Sequence, residues 1–328
     1  MKIAVVGAGF SGLAAAWFAC ISLRAHVTLF DSNPLGQSTS GISAGLLHPF
    51  AGAHSRLNWL GYEGLQATKN LLDIASKALN QKVYRENGLL RPILDEQQEI
   101  DYKACAEAHP DRVDLWNERQ CLERFPGMAQ VPGIYIKDGI AVDTKLYLRG
   151  LYKACEQHGA QYVNKNIETL NDLADYDKII VATGTGVTRY SELSHLKIYC
   201  LKGQLLKLEW PIGVHPLPMP LNGYVYIVMD REGKNCWAGA TFERDFKSEL
   251  PDEAQAKSLI LPKLEAMYPL LRGVSVLGCE AGIRATTPDK KPIYGWVNDR
   301  VGFISGMGSK GLLYHALCAE RMFGDGSA

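Results

Sequence analysis

Three groups of residues in this chain have the types and spacing to do chemistry. The first is a single arginine, Arg284, in CEAGIRATTPDKKPIYG, set between Ile283 and Ala285 after the apolar run VSVLG. That run reads as a strand entering a core. An arginine at its end either pairs internally, with Asp289 or Glu280, or holds the negative charge of a ligand. For the second role a guanidinium offers two parallel charge-assisted hydrogen bonds to a carboxylate and so fixes its plane. The second group is GAGFSG, a GxGxxG turn at Gly7, Gly9 and Gly12, with Ala8, Phe10 and Ser11 between the glycines. Gly7 allows the tight turn, Gly9 lets the backbone approach a pyrophosphate, and Gly12 lets helix and strand pack closely. The third is GMGSKGLL near the end of the chain, where Gly306, Gly308 and Gly311 free the backbone at a second helix N-terminus. Lys310 there is either an added positive charge or a solvated loop lysine.

Each group needs elements to position it. Lys2 to Val6 reads as a strand and the small residues after Gly12 as a helix, whose N-terminal N–H groups and dipole favour an anion. The next strand, HVTLFD, ends in Asp31, 19 residues after Gly12, placed to accept hydrogen bonds from an adenosine ribose and to repel a 2′-phosphate. With strand, turn, helix and acid in register, this is a dinucleotide-binding unit. The segment that follows, DSNPLGQSTSGISAGLLHP, is long, small and uncharged, backbone that can wrap a ligand closely. An NAD enzyme would continue instead with another helix and strand, so the segment points to FAD.

Size and composition set the frame. The chain has 328 residues, which predicts two domains. Lys+Arg and Asp+Glu are equal at 35 each, so no net field draws the protein to nucleic acid. The eight cysteines form no CxxC pair, which predicts reduced, mostly buried thiols in a cytoplasmic protein and no structural zinc. Residues 3 to 23 carry no charge and are long enough to span a membrane, yet their early glycines predict a buried strand, turn and helix.

GQSTSGISAGLLHP resembles the loop of the D-amino-acid oxidase family of flavoproteins, glycine oxidase type, that runs from the FAD phosphates to the flavin ring. The resemblance implies phosphate contacts for Ser38, Thr39 and Ser40, and places Ala44, Gly45 and Leu46 beside the isoalloxazine. YDKIIVATGTG is similar to the family's strand and turn with Ala182 and Gly184 near the adenosine, and Ile167 matches the position whose backbone meets adenine. LKGQLLKL, the hairpin YIVMDREGKNCWAGATFE, GIRATTPDKKPIYG and GMGSKGLL also match in chain order; the last brings Ser309 and Leu312 to the cofactor beside Gly306, Gly308, Lys310 and Gly311. The match runs from Met1 to the last helix. It implies that Arg284 forks onto a substrate carboxylate and that Tyr226, on the roofing strand, bonds the same group; a core tyrosine is the plainer alternative for Tyr226. His48 ends the flavin loop, and the family pattern asks for no histidine there; a packed loop histidine is the default.

The expected fold is α/β, a Rossmann-type FAD/NAD(P)-binding domain with a second antiparallel-β-rich (α+β) substrate domain. The cofactor domain is discontinuous, 1–84, 141–198 and 276–328, and the excursions 85–140 (charged and irregular) and 199–275 (β-rich) form the substrate domain. The terminal GDGSA is expected to fray. The resemblance implies oxidation of a small amine or amino acid bearing a carboxylate, by hydride transfer to flavin N5 and imine hydrolysis. The cofactor supplies the hard step and the protein orientation and electrostatics, so the absence of a catalytic triad fits. Oxygen or another acceptor would reoxidise the flavin, and the oligomeric state stays open. GMGSKGLL and SGISAGLLHP also look like the oxidase domain of the bifunctional tRNA 5-methylaminomethyl-2-thiouridine synthesis protein, whose substrate is an N-substituted glycine on a nucleoside. The balanced charge and the missing methyltransferase domain speak against tRNA; a basic stripe at the pocket mouth would speak for it. The third reading is a flavoprotein without catalysis.

Overall fold

The structure, a computed structural model, describes residues 1–324; residues 325–328, most of the expected frayed tail, lie outside the described residues. The uncharged run at the start divides as its glycines predict: β1 (Lys2–Val6), a turn, α1 (Phe10–Ser22), then β2 (His26–Asp31). After them come a short helix α2 (Thr39–Ile42), β3 (Leu46–Leu47) and the long helix α3 (Gly61–Leu79). No helix among the described residues is long and apolar enough to cross a membrane.

Residues 85–140 correct the expectation of an irregular excursion. They hold β4 (Tyr84–Arg85), β5 (Leu89–Pro92), α4 (Glu96–Ala108), β6 (Val113–Trp116), α5 (Glu118–Arg124), β7 (Gly133–Ile136) and β8 (Ile140–Val142). The polar surfaces of α4 and α5 hide the signal, since each is fixed by a capping side chain, Asp95 onto Gln98 N–H and Asn117 onto Gln120 N–H. The chain continues through α6 (Thr144–Gln157), β9 (Gln161–Asn164), β10 (Lys178–Val181), β11 (Tyr199–Glu209), β12 (Leu221–Asn222), β13 (Tyr226–Met229), β14 (Asn235–Gly239), α7 (Glu253–Met267), β15 (Val276–Thr286), β16 (Ile293–Trp296), β17 (Val301–Ser305) and α8 (Gly311–Gly324).

Two large sheets carry the molecule. The first has the order β16-β17-β10-β1-β2-β9, parallel from β17 to β9 with β16 antiparallel at its edge. Its strands are apolar on both faces because both faces are covered. Ile3 and Val5 join the core under α1, α3, α6 and α8, while Ala4 and Val6 join a second core with Ile167, Leu170 and Val187. The second sheet has the order β15-β11-β14-β13-β12-β5-β7-β6, antiparallel except where β12 meets β5. One face packs on α7, with Leu206, Leu208, Ile227 and Ala238 against Ile260 and Leu264. The other face carries Leu205, Val228 and Tyr226 toward the first sheet's loops, with Ala44 and Ala141.

Candidate functional site

One cavity of about 1660 Å³ collects nearly all the residues singled out in the sequence. Gly7, Gly9, Phe10, Ser11, Asp31, Ser38–Ser40, Ala44–Leu46, Ile167, Ala182, Gly184, Tyr226, Arg284, Gly306 and Gly308–Leu312 all line it. Ala8 and Gly12 do not; they build its wall. Gly12 packs so tightly that a Cβ would stand 1.7 Å from the Gly7 carbonyl oxygen, and Gly7, at φ +102°, would bring one within 2.4 Å of Ala182 O. The Ala8 N–H donates to Asp31 Oδ2 at 2.7 Å, and Asn33 N–H to Oδ1 at 2.8 Å, so the acid is pinned at the cavity with lone pairs to spare.

The walls suit an anion. Helix α1, with Gly9 at its N-cap, has no capping bond from that residue's side chain, which leaves the N–H groups of Ser11 and Gly12 without partners among the described residues. A Cβ at Gly9 would meet Ser40 Oγ at 2.8 Å, and that hydroxyl accepts from Phe10 N–H at 3.1 Å. Ser38 Oγ and Thr183 Oγ1 are buried without a partner. Ile167 uses its carbonyl on the Tyr190 hydroxyl at 2.9 Å, and Gly184 its carbonyl on Ser305 Oγ at 2.9 Å, which fixes both backbones against the cavity. At the other end Gly306 (φ +79°) and Gly308 (φ +54°) turn the chain into α8. Lys310 lines the cavity beside them, and burial, then the nearby Lys290, pull its pKa below the ordinary lysine value.

Arg284 lies inside β15, two residues before its end rather than beyond it, and the strand's first half is open: Leu277 is 51% exposed. Neither internal partner is in place. Glu280 faces Lys145 at 3.9 Å, Asp289 Oδ1 accepts from Lys291 N–H, and among the described residues no carboxylate lies within 4.0 Å of the guanidinium. Its contacts are the Thr241 carbonyl at 3.4 Å and the Phe242 ring at 5.0 Å. Burial lowers its pKa and the neighbouring Tyr226 raises it. The phenol of Tyr226, on the same face, is pushed up to about 12 by burial, against the pull of Arg284, so it stays a protonated donor.

Several residues of the site escaped the sequence reading. Gly203 on β11 is the bed of Arg284: a Cβ there would stand 2.0 Å from Nη2. A glycine inside a strand was the available signal, since it marks close approach. Gly282 does the same for Thr39, with a Cβ 2.8 Å from its Cγ2. Arg91, 2% exposed, binds the Phe50 and Gly52 carbonyls and Ser55 Oγ, holding the loop after His48. His48 is 4% exposed; burial and then Arg91 lower its pKa to about 3, so its imidazole is neutral in the cavity wall.

Comparison with known proteins fits this cradle. Residues 2–323 match the sequence pattern of DAO, the FAD dependent oxidoreductase family. The chain belongs to the DAO family. It is an FAD-dependent oxidoreductase with the fold of that family. Among curated proteins it is 27% identical to the tRNA 5-methylaminomethyl-2-thiouridine biosynthesis bifunctional protein of Polaromonas naphthalenivorans, over 97% of this chain and 55% of that one. It is 24% identical to glycine oxidase of Bacillus subtilis, over 94% of this chain and 88% of that one. The chain thus spans about half the length of the first of these relatives. Glycine oxidase from Geobacillus kaustophilus superposes with a TM-score of 0.84 at 19% identity, over 98% of this chain and 94% of that one. The unpartnered hydroxyls of Ser38 and Thr183, the uncapped α1 and the glycine-lined wall are donors and clearance that the FAD of this family fits.

Proposed function

We propose that this DAO-family enzyme oxidises the C–N bond of a small amino acid or N-substituted glycine whose carboxylate is held by Arg284. The observation that carries the reading is the partly buried guanidinium with no carboxylate partner among the described residues, opening on the same cavity as the cofactor cradle. An unpaired buried charge is costly, and a ligand carboxylate offsets that cost. When bound, FAD supplies the two-electron acceptor for the hydride leaving the α-carbon, and the resulting imine hydrolyses in water. The chain's own part is orientation. Arg284 fixes the carboxylate plane, the protonated Tyr226 hydroxyl donates to the same group, and α8 with Lys310 turns positive potential toward the cavity. Ser38, Thr39, Ser40, Asp31 and Ile167 take the cofactor's diphosphate and adenosine, and Ala44–Leu46 its ring.

A second reading, oxidation of an N-substituted glycine carried on tRNA, draws on the relative from Polaromonas. The cavity lining includes Arg244, Lys290 and the exposed rings of Phe242 and Tyr199, groups that suit phosphates and bases, but Asp245 and Glu249 offset the two positive charges and no basic stripe results. One experiment decides between them. The yellow holoenzyme is mixed anaerobically with glycine, sarcosine, other N-substituted glycines and D-amino acids, and separately with tRNA bearing carboxymethylaminomethyluridine. Bleaching by a free amino acid supports the first reading, and bleaching by the tRNA alone supports the second. If no carboxylate-bearing amine bleaches the flavin, the amine reading is wrong.

A further inference from the structure

The two faces of β11 have different work. Leu201, Gly203 and Leu205 line the cavity, while Leu206 and Leu208 join the core under α7 on the reverse face. By strand alternation Lys202 and Gln204 belong to the reverse face as well. They are 3% and 0% exposed, polar residues at the edge of an apolar core.

What they bind is the segment that covers Arg284. Between the end of β14 at Gly239 and the start of α7 at Glu253 the chain has no helix and only one isolated strand bridge, Lys202 with Glu243. Its apolar side chains anchor it little, since Phe242 is 65% and Leu250 73% exposed and Phe246 is only half-buried. Polar bonds to β11 hold it instead. Lys202 Nζ donates to the carbonyls of Ser248 at 2.9 Å and Leu250 at 2.7 Å. Gln204 Nε2 donates to Glu243 Oε1 at 3.0 Å and to Gln255 Oε1 at 3.1 Å, and Gln204 Oε1 accepts from Asp252 N–H at 2.6 Å. Glu243 Oε1 also accepts from Thr241 Oγ1, which in turn accepts from Gln204 N–H at 2.9 Å. Thr241 and Glu243 thus turn to the reverse face. Between them Phe242 turns to the cavity and lays its ring over Arg284, and the Thr241 carbonyl faces Nη1.

We propose that Lys202, Gln204 and Glu243 are positioning residues for the substrate carboxylate site: from behind the sheet they hold Thr241 and Phe242, and through them the guanidinium of Arg284. The inference rests on the reading of Arg284 as carboxylate anchor. Its physical basis is that buried polar groups stand or fall as a network, so removing one member leaves the others unsatisfied and loosens the segment, even though backbone bonds still tie Thr241 to Gln204 and Glu243 to Lys202. A shift of about 1 Å in a group that orients a reactant is enough to weaken the site measurably.

The test uses the FAD-loaded protein and three variants, Gln204→Met, Glu243→Leu and Glu243→Gln. Acetate or glycolate is titrated against the flavin absorbance, and hydrogen exchange is followed in residues 240–252. Gln204→Met and Glu243→Leu should keep the flavin, weaken carboxylate binding about 10-fold, and exchange faster across 240–252. With an amine that the enzyme oxidises, KM should rise while kcat changes little. Glu243→Gln, which still accepts from Thr241 and Gln204, should restore affinity to within about 2-fold of the wild type. The proposal is overturned if Gln204→Met binds carboxylates and exchanges as the wild type does. It is also overturned if Glu243→Gln is as impaired as Glu243→Leu. Should Glu243→Leu fail to fold, Gln204→Met and Glu243→Gln carry the same decision. A wild type that binds no carboxylate would sink the Arg284 reading instead, and the exchange data would still decide whether the network holds the segment.

Discussion

Arg284 depends on a neighbour with no side chain. Its guanidinium lies where a Cβ of residue 203 would be, so Gly203→Ala should move the guanidinium rather than break the strand. Alanine is otherwise worth about 0.5–1 kcal/mol more than glycine inside a strand. The expected outcome is a melting temperature equal to or above the wild type with carboxylate affinity reduced at least about 10-fold, read by thermal unfolding and flavin titration of one preparation. Arg284→Lys keeps the charge and loses the fork, and carboxylate binding should fall about 10- to 100-fold with FAD retained. Tyr226→Phe removes one neutral donor, a loss of about 0.5–1.5 kcal/mol of binding. The phenol's pKa of about 12 puts its ionisation above the working range, so the wild-type and Phe enzymes should show the same pH profile of carboxylate affinity up to about pH 10. A wild-type affinity that drops near pH 9, absent in the variant, would contradict the assignment of a protonated donor.

At the scale of elements, α8 presents its first turn to the cavity and is tied into the helical layer by a buried histidine. His315 Nδ1–H donates to the carbonyls of Gly311 and Leu312, and Nε2 accepts from the Tyr147 hydroxyl of α6 at 2.6 Å. Burial holds its pKa at about 4, against 6.5 for the free side chain. His48 is lowered further, to about 3. Both are neutral when folded and take up protons when unfolded. Their contribution is complete above pH 6.5 and is lost as pH falls, toward 4 for His315 and toward 3 for His48, by as much as about 1.4 kcal/mol per pH unit for each. Urea midpoints between pH 7 and 4.5 should fall with acid, and His315→Gln should have a shallower slope; an equal slope would show that His315 is not the buried neutral group described. The elements differ in how legible they were. β1, α1, β2, β10, β17 and α8 were readable because apolar runs, glycine turns and one acid sit at local spacings. The glycine turn and Asp31 were readable in the same way, whereas Ser38–Ser40 and Ala44–Leu46 came from the family resemblance; the structure brings all of them but Ala8 and Gly12 to one cavity. What joins Gln204 to Glu243 and Gln255 is contact between segments distant in the chain, and no local pattern encodes it. Arg91 was missed for a related reason: its partners, the Phe50 and Gly52 carbonyls, lie 41 and 39 positions away. Yet a lone charge in the apolar strand LLRP was the same signal that marked Arg284.

At the scale of the whole molecule, the cavity wall is drawn from the start, middle and end of the chain: Gly7–Leu46, Ile167–Gly184 and Gly306–Leu312. We propose on this ground that the cofactor domain is discontinuous, with the larger sheet as substrate domain, and that β15, although it lies within 276–328, goes with the larger sheet through its pairing with β11. A ligand that touches three distant segments stabilises them together, because it binds only when all three are in place. At free FAD of 100 times its Kd the gain is about 2.7 kcal/mol. For a chain of this size that is a rise of about 5 °C in melting temperature. Removing FAD should therefore lower the melting temperature by roughly that amount and speed hydrogen exchange at residues 7–12, 38–46 and 306–312 in concert, with β6 and β7 at the far end of the larger sheet unaffected. Exchange that quickens at only one of the three segments would mean that the cofactor is held locally, and the discontinuous domain would lose its support.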